Sequence, residues 1–301
     1  MSNLRTAIIP ASWVLLTMIT SGGCAASSAT ANASTEAPLR EELRSGSLRH
    51  LVFNGREDHG NRYLSTVMIG KAGSPHPCSG VVVHPHLVLT AAHCLCNPHD
   101  GRKLLDASTC SKSATVFAYV YERNQDAYSP RIQSSRGTVR AHESYRTRFG
   151  AGEATQENVS DLAVIFLEQP LPDVVPESQL TDQEAVLKSE LVVVGYGPTQ
   201  VGGDITGRRF FGRNTVTAIA LSSIRAEDRD DVFFRFERAG THAAEGDSGG
   251  PCFRETAQGR RLVGIVSQGH PDGRLSQFTS IYPHLAWIKA RIAEAEKLKA
   301  N

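Results

Sequence analysis

At 301 residues the chain is long enough for one large domain or two small ones, and 32 basic against 31 acidic side chains leave a net charge of +1. That balance gives no electrostatic case for nucleic acid or another polyanion as a partner. Six cysteines behind an export-type leader point to an oxidising destination.

Arg5 precedes an apolar stretch from Ala7 to Ile19, broken by Pro10 and too short to span a bilayer comfortably. It reads as a signal peptide rather than a membrane helix. Ser21-Gly22-Gly23-Cys24 follows and is similar to the lipobox of bacterial lipoproteins, with Ser21 where Leu is usual. The similarity implies lipidation of Cys24 and anchorage in the envelope after export from a bacterial cell. Cleavage at Ala25 or Ala26 instead implies a secreted chain. Residues 1–24 are thus expected to be leader. Residues 25–38 are almost wholly Ala, Ser and Thr, which cannot build a core. With Arg40-Glu41-Glu42-Leu43-Arg44, a short helix or a solvated linker, they make 25–51 a flexible tether and propeptide.

Beyond residue 51, short β-rich runs alternate with turn residues. Val81-Val82-Val83, Leu87-Val88-Leu89 and Val164-Ile165-Phe166-Leu167 read as buried strands. So do Leu191-Val192-Val193-Val194, Val232-Phe233-Phe234 and Leu262-Val263-Gly264-Ile265-Val266. The polar stretch from Tyr121 to Thr155 is expected to be a long loop. Helical periodicity is scarce until Pro283, after which Leu285, Ile288 and Ile292 mark an amphipathic helix running to Lys299. Many short strands joined by turns place the chain in the all-β class, as sandwich or barrel.

Three stretches carry chemistry. In Gly246-Asp247-Ser248-Gly249-Gly250-Pro251 the glycines let the backbone bend and approach a substrate without a Cβ clash. So turned, the amides of Gly246 and Ser248 can point together at the oxyanion formed when Ser248 attacks a carbonyl. The hydroxyl needs a base, and the base needs a carboxylate to orient it. Thr90-Ala91-Ala92-His93-Cys94 offers the first, and Ser160-Asp161-Leu162-Ala163-Val164 the second. Asp161 opens an apolar run that buries its neighbours, a setting that can hold His93 in one tautomer. His84, His86 and His99 sit in turn-rich sequence and are expected at the surface, leaving His93 as the histidine with a partner set.

The order His93, Asp161, Ser248 in these contexts resembles the chymotrypsin/trypsin-like serine peptidase family, from which the division of roles is taken. The resemblance implies two antiparallel β-barrels with the active site in the cleft between them, plus a C-terminal helix packed on the second barrel. The protease domain would span 52–299, act on protein or peptide substrates and need no cofactor. It implies a Cys78–Cys94 disulfide beside His93, worth about 3 kcal/mol through the unfolded state. Cys96 and Cys110, in an extra loop, could pair with each other, leaving Cys252 as a buried thiol acting as a small hydrophobe. His93-Cys94-x-Cys96-x-x-His99 has metal-ligand residue types, but the roles of His93 and Cys94 exclude ligation and no metal is expected.

Val52-Phe53-Asn54-Gly55 is similar to the mature N-terminus of family members. Cleavage at Leu51–Val52 would free an α-amino group to pair with Asp247, whose buried carboxylate is costly without a cation. Leu51 is not basic, so the activating protease is not expected to be trypsin-like. Gly195-Tyr196-Gly197 is similar to a turn near the start of the second barrel. Gly264-Ile265-Val266-Ser267-Gln268-Gly269 matches the strand along which substrate pairs, making Ser267, Gln268 and Gly269 one wall of the primary pocket. His242 would form its floor with Glu245 nearby, and Ser276 the opposite wall. With no acid on the floor, trypsin specificity is not expected. His242 either receives an acidic or amide side chain through a ring N–H or plugs a shallow pocket suited to a medium apolar residue. A monomer is expected. Rival readings are a dormant, partner-activated binding protein on the same fold and an esterase using the same triad.

Overall fold

Each of the six apolar runs becomes part of a strand in the computed structural model. It describes residues 55–70, 77–96, 104–124, 127–149, 156–177, 179–198, 207–221, 231–270 and 273–298. Cys24, the tether, Val52 and His99 lie outside the described residues.

The first half contributes β1 (Arg56–Glu57), β2 (Thr66–Gly70), β3 (Cys78–His84), β4 (Leu87–Thr90) and β5 (Leu104–Asp106). There follow β6 (Ser113–Asn124), β7 (Ala127–Ala141), β8 (Arg146–Phe149), β9 (Gln156–Val159) and β10 (Ala163–Leu167). Six of these close an antiparallel barrel in the order β10-β4-β3-β2-β6-β7. Strand β10 lies between β4 and β7 and is buried along its whole length, which is why its sequence shows no polar alternation.

The second half supplies β11 (Glu190–Gly195), β12 (Phe210–Thr215), β13 (Ala218–Leu221) and β14 (Val232–Phe236). It continues with β15 (Pro251–Thr256), β16 (Gly259–Gly269) and β17 (Ser276–Ser280). Together with β1 they form an eight-stranded sheet ordered β1-β12-β11-β15-β16-β17-β14-β13. Val193, Phe234, Phe278 and the free, buried Cys252 pack in its own hydrophobic cluster. Burial pushes the Cys252 thiol well above its ordinary range, as expected of a small hydrophobe rather than a reactive group. The described residues are therefore all-β with a C-terminal helix, α1 (Leu285–Leu298).

Two expectations are corrected. The stretch from Tyr121 is not a long loop. It continues the β6–β7 hairpin, paired from Ser113↔Thr138 to Asn124↔Ala127, and then β8. The hairpin's outer end is exposed on both faces, so its strands carry polar residues without apolar alternation and resemble loop sequence. Helix α1 has its main strand contacts with β3 and β4 of the closed barrel, not with the second half. Ile288 and Ala295 enter a hydrophobic cluster that includes barrel residues and, from the second half, Leu262 and Ile281, while Arg140–Glu294 (2.6 Å) and Trp287 Nε1 donating to Glu143 (2.8 Å) tie the helix to the end of β7.

Candidate active site

His93 rides on a short 3-10 turn, Ala92–Cys94, at the end of β4. The turn is pinned from below by a Cys78–Cys94 disulfide, with a second disulfide joining Cys96 to Cys110. The donor atoms of Cys78, His93 and Cys94 lie within 4.8 Å of one another, but both sulfurs are spent in the disulfide and cannot ligate a metal.

Asp161 sits just before β10 and is fully buried. Its Oδ2 receives His93 Nδ1 at 2.8 Å, while its Oδ1 takes the His93 backbone amide at 2.9 Å. Ser267 Oγ donates to the same Oδ2 at 2.6 Å, and Asn158 Nδ2 at 3.1 Å. Burial alone would raise this carboxyl, yet the charge and hydrogen bonds of His93, with the Ser267 hydroxyl, hold it below its usual range. It therefore stays an anion that can orient His93.

The Gly246–Pro251 turn lies against the same strands. Gly246 (φ 96°) and Gly249 (φ 81°) occupy the left-handed region. A Cβ on Gly249 would run into Thr90 Oγ1 and the Ser79 carbonyl, so only glycine lets the turn approach the segment leading to His93. Ser79 N donates to Ser248 O at 2.7 Å and Ser79 Oγ to Gly246 O at 2.8 Å, fixing both sides of the turn to β3. Ser248 is half-buried. Among the described residues no hydrogen bond joins its Oγ to His93 Nε2, a looseness common in ligand-free sites.

Asp247 is buried, and its carboxylate accepts the amides of Gly197 (2.7 Å) and Ala244 (2.8 Å). Desolvation outweighs these bonds and pushes the carboxyl up to about 7. No cation touches it among the described residues. The candidate pocket is tight. A Cβ on Gly269 would lie 2.5 Å from Ala243 O, so these two walls are in contact. His242 is buried with both ring nitrogens engaged, Nδ1 with Ser276 Oγ (3.1 Å) and Nε2 donating to Arg238 O (2.7 Å). Ser276 Oγ also accepts the Ala243 amide at 2.8 Å. Glu245 is exposed, Gln268 half-buried and Gly269 exposed at the end of β16.

Sequence reasoning missed several groups. Ser160 holds a left-handed φ of 45°, and its amide donates to buried Asp231 (2.8 Å), whose other oxygen meets His284 Nε2 at 2.9 Å. The His142 ring lies edge-on to His284, centroids 5.0 Å apart. His93 is thus not the one histidine with partners, and His84 and His86 are half-buried, with His86 N donating to His84 Nδ1 (3.2 Å). No local motif signals the Ser160, Asp231, His284 and His142 contacts, because each joins residues far apart in the chain. Asn158 was equally silent, a polar residue within a polar stretch.

The trypsin family model matches residues 52–288. Vitamin K-dependent protein C of Rattus norvegicus is 28% identical over 246 residues, covering 73% of this chain and 47% of that protein. Coagulation factor XII of Bos taurus is 30% identical over 243 residues, covering 72% of this chain and 36% of that protein. The chain thus spans less than half the length of these two relatives. Human heparin binding protein has the same fold, with a TM-score of 0.53 at 20% identity over 78% of this chain and 94% of that one. With the family model spanning most of its length, the chain belongs to the trypsin family.

Proposed function

We propose that the protein is an exported serine endopeptidase that hydrolyses peptide bonds through an acyl-enzyme. Ser248 Oγ attacks the carbonyl carbon while His93 Nε2 takes its proton; His93 then returns that proton to the departing amine. Asp161 holds the ring with Nε2 toward the nucleophile and stabilises the imidazolium. The amides of Gly246 and Ser248 receive the oxyanion. Water repeats the sequence on the acyl ester and frees Ser248. The observation that carries this reading is the His93–Asp161 pair, bonded through ring and backbone alike, beside a glycine turn that presents Ser248.

Activation by cleavage at Leu51–Val52 belongs to the same reading. The Asp247 carboxylate, without a cation among the described residues, and the touching pocket walls support an unactivated single chain. The new α-amino group of Val52 would supply the missing cation and draw Asp247 with its neighbours toward it. Residues 1–24 act as leader, 25–51 as tether and propeptide, and 52–299 as the protease. Lipidated Cys24 would anchor the uncut chain, and cutting would release the protease. The two disulfides suit an extracytoplasmic setting. The engaged nitrogens of His242 support a plugged, neutral pocket, so a medium apolar residue before the cut is favoured over an acidic one.

Covalent labelling with a fluorophosphonate tests the proposal, using the full exported chain, a chain beginning at Val52, and the Ser248→Ala version of the latter. Labelling of the Val52 form alone, abolished by alanine, is expected. Equal labelling of the full chain removes the switch but keeps the enzyme. The closed pocket favours one rival, a dormant protein ordered by a partner, and labelling of neither native form selects it.

A further inference from the structure

We propose that Asn158 is a positioning residue for the Asp161 carboxylate, delivered to it by the small sheet that the chain inserts between His93 and Asp161. The proposal rests on the triad reading above and adds to it a purpose for the insertion. Strands β5, β8 and β9 form a three-stranded antiparallel sheet separate from the barrel, and all three lie between His93 and Asp161 in the chain. The Cys96–Cys110 disulfide and the Ser111 amide donating to Leu95 O (2.8 Å) tie the start of this insertion to the turn that carries His93.

Asn158 uses all of its polar side-chain atoms on buried partners. Its Nδ2 donates to Asp161 Oδ2 (3.1 Å) and to Ser267 Oγ (2.8 Å), and Ser267 Oγ donates in turn to the same Asp161 oxygen. The three groups form a closed triangle on the side of Asp161 away from His93's backbone amide. The amide orientation is set by its other end: Asn158 Oδ1 accepts from Thr147 Oγ1 at 2.8 Å. Thr147 is the direct cross-strand partner of Asn158, and its hydroxyl also meets that of Tyr145 at 2.8 Å. Thr147 and Tyr145 are fully buried and Asn158 nearly so. A buried carboxamide flipped end for end would set its oxygen against the Asp161 carboxylate and its NH2 against Thr147, so the sheet register itself selects the donor.

The sign of the effect follows from charge. A donor on Oδ2 disperses the negative charge that attracts the proton of His93. Removing that donor makes His93 hold its proton more tightly, and the neutral base disappears at a higher pH. The other titratable groups facing this centre stay in place: His93 itself, Tyr145 from the insertion, and the Asp231–His284 pair with His142 behind Ser160.

The test uses the full-length chain with its own leader, activated and titrated for active sites with a fluorophosphonate. Its readout is the pH profile of kcat/KM on a small peptide amide. In Asn158→Ala, kcat/KM at neutral pH should fall about threefold to tenfold. The acid limb should move up by about half a pH unit. Thr147→Val, which never touches Asp161, should move the limb the same way by less, and Thr147→Ser should return it toward the parent. A purely structural role would lower Tm in the variants and leave the limb where it was; that result for both Asn158→Ala and Thr147→Val overturns the proposal. If Asn158→Ala does not fold, Thr147→Val and Thr147→Ser decide. Activity surviving Ser248→Ala would instead overturn the triad reading and this inference with it.

Discussion

Two buried groups pull the pH dependence of stability in opposite directions, and single substitutions separate them. Asp247 is pushed up to about 7 by desolvation, from an ordinary 3.8. Between those values the folded chain keeps a proton that the unfolded chain has released. Its contribution is therefore fully present below about pH 4 and is lost as pH rises through about 7. At about 1.4 kcal/mol per unit, that loss is on the order of 4 kcal/mol. His142 runs the other way, pulled down to about 4 by burial and by the neighbouring His284. Here the unfolded chain binds the proton first, so stability rises between about pH 4 and 6.5. The gain is about 3 kcal/mol, trimmed toward about 2 by water at the ring's exposed edge. Asp161, held below its usual range, contributes only toward the acid end.

The parent should therefore lose only about 1–2 kcal/mol between pH 4.5 and 7.5, a shallow slope made of two steeper ones. Urea unfolding of the Ser248→Ala single chain, which cannot cut itself, measures it. In that background Asp247→Asn should become more stable as pH rises, and His142→Phe should become less stable over the same range. On the activation proposed above, a chain cut at Leu51–Val52 should lose the downward component without any substitution, because a Val52 ammonium paired with Asp247 would keep that carboxylate ionised. Profiles for Asp247→Asn and His142→Phe that overlay the parent would refute the reasoning.

Two further substitutions read the joints around the site. Asp231→Ala leaves the buried Ser160 amide and the His284 ring without their shared acceptor. It should cost about 2–3 kcal/mol, read as a lower midpoint in urea unfolding. Arg209 is fully buried, with Nε donating to Asp58 Oδ2 (2.8 Å) and Nη1 to Tyr119 O (3.0 Å) and Tyr196 OH (3.2 Å). Arg209→Met strands Asp58 inside the protein and should lose about 3–5 kcal/mol, read as a lower urea midpoint; a loss under about 1 would mean that water reaches Asp58.

What could be read in advance divides along a physical line. Strands buried on both faces announce themselves as unbroken apolar runs, so β3, β4, β10, β11 and the middle of β16 were visible, and the half-buried β14 showed through its Val-Phe-Phe run. So was the turn around Ser248, because left-handed φ at Gly246 and Gly249 demands glycine in a fixed pattern. The outer β6–β7 hairpin was not visible, since a ribbon wet on both faces has no apolar stripe to betray it. Arg209 was hidden for a related reason. It stands beside Arg208, which is well exposed, and nothing local distinguishes the buried guanidinium from the solvated one. His242 was placed at the pocket floor from the motif, but its engaged ring nitrogens depend on Arg238 O and Ser276 Oγ, brought up by separate segments.

The same line explains why the neighbourhood of Asp161 is the hardest part of the site to read from sequence. The motif names one aspartate before an apolar strand. The fold then grips that aspartate from three sides. Ser267 reaches it from β16 of the second half, Asn158 from the inserted sheet, and Asp231, with His284 ahead of α1, holds the amide of Ser160 next to it. Ser160 carries a β-bearing side chain at φ 45°, a conformation costing about 1–2 kcal/mol that persists only where neighbours overdetermine it. The strain sits one residue from the carboxylate that orients His93. Removing Asp231, which holds the Ser160 amide, should therefore disturb the placing of Asp161 as well as stability. The geometry of one hydrogen bond, Asp161 to His93, is thus a property of both halves of the chain and of the insertion between them.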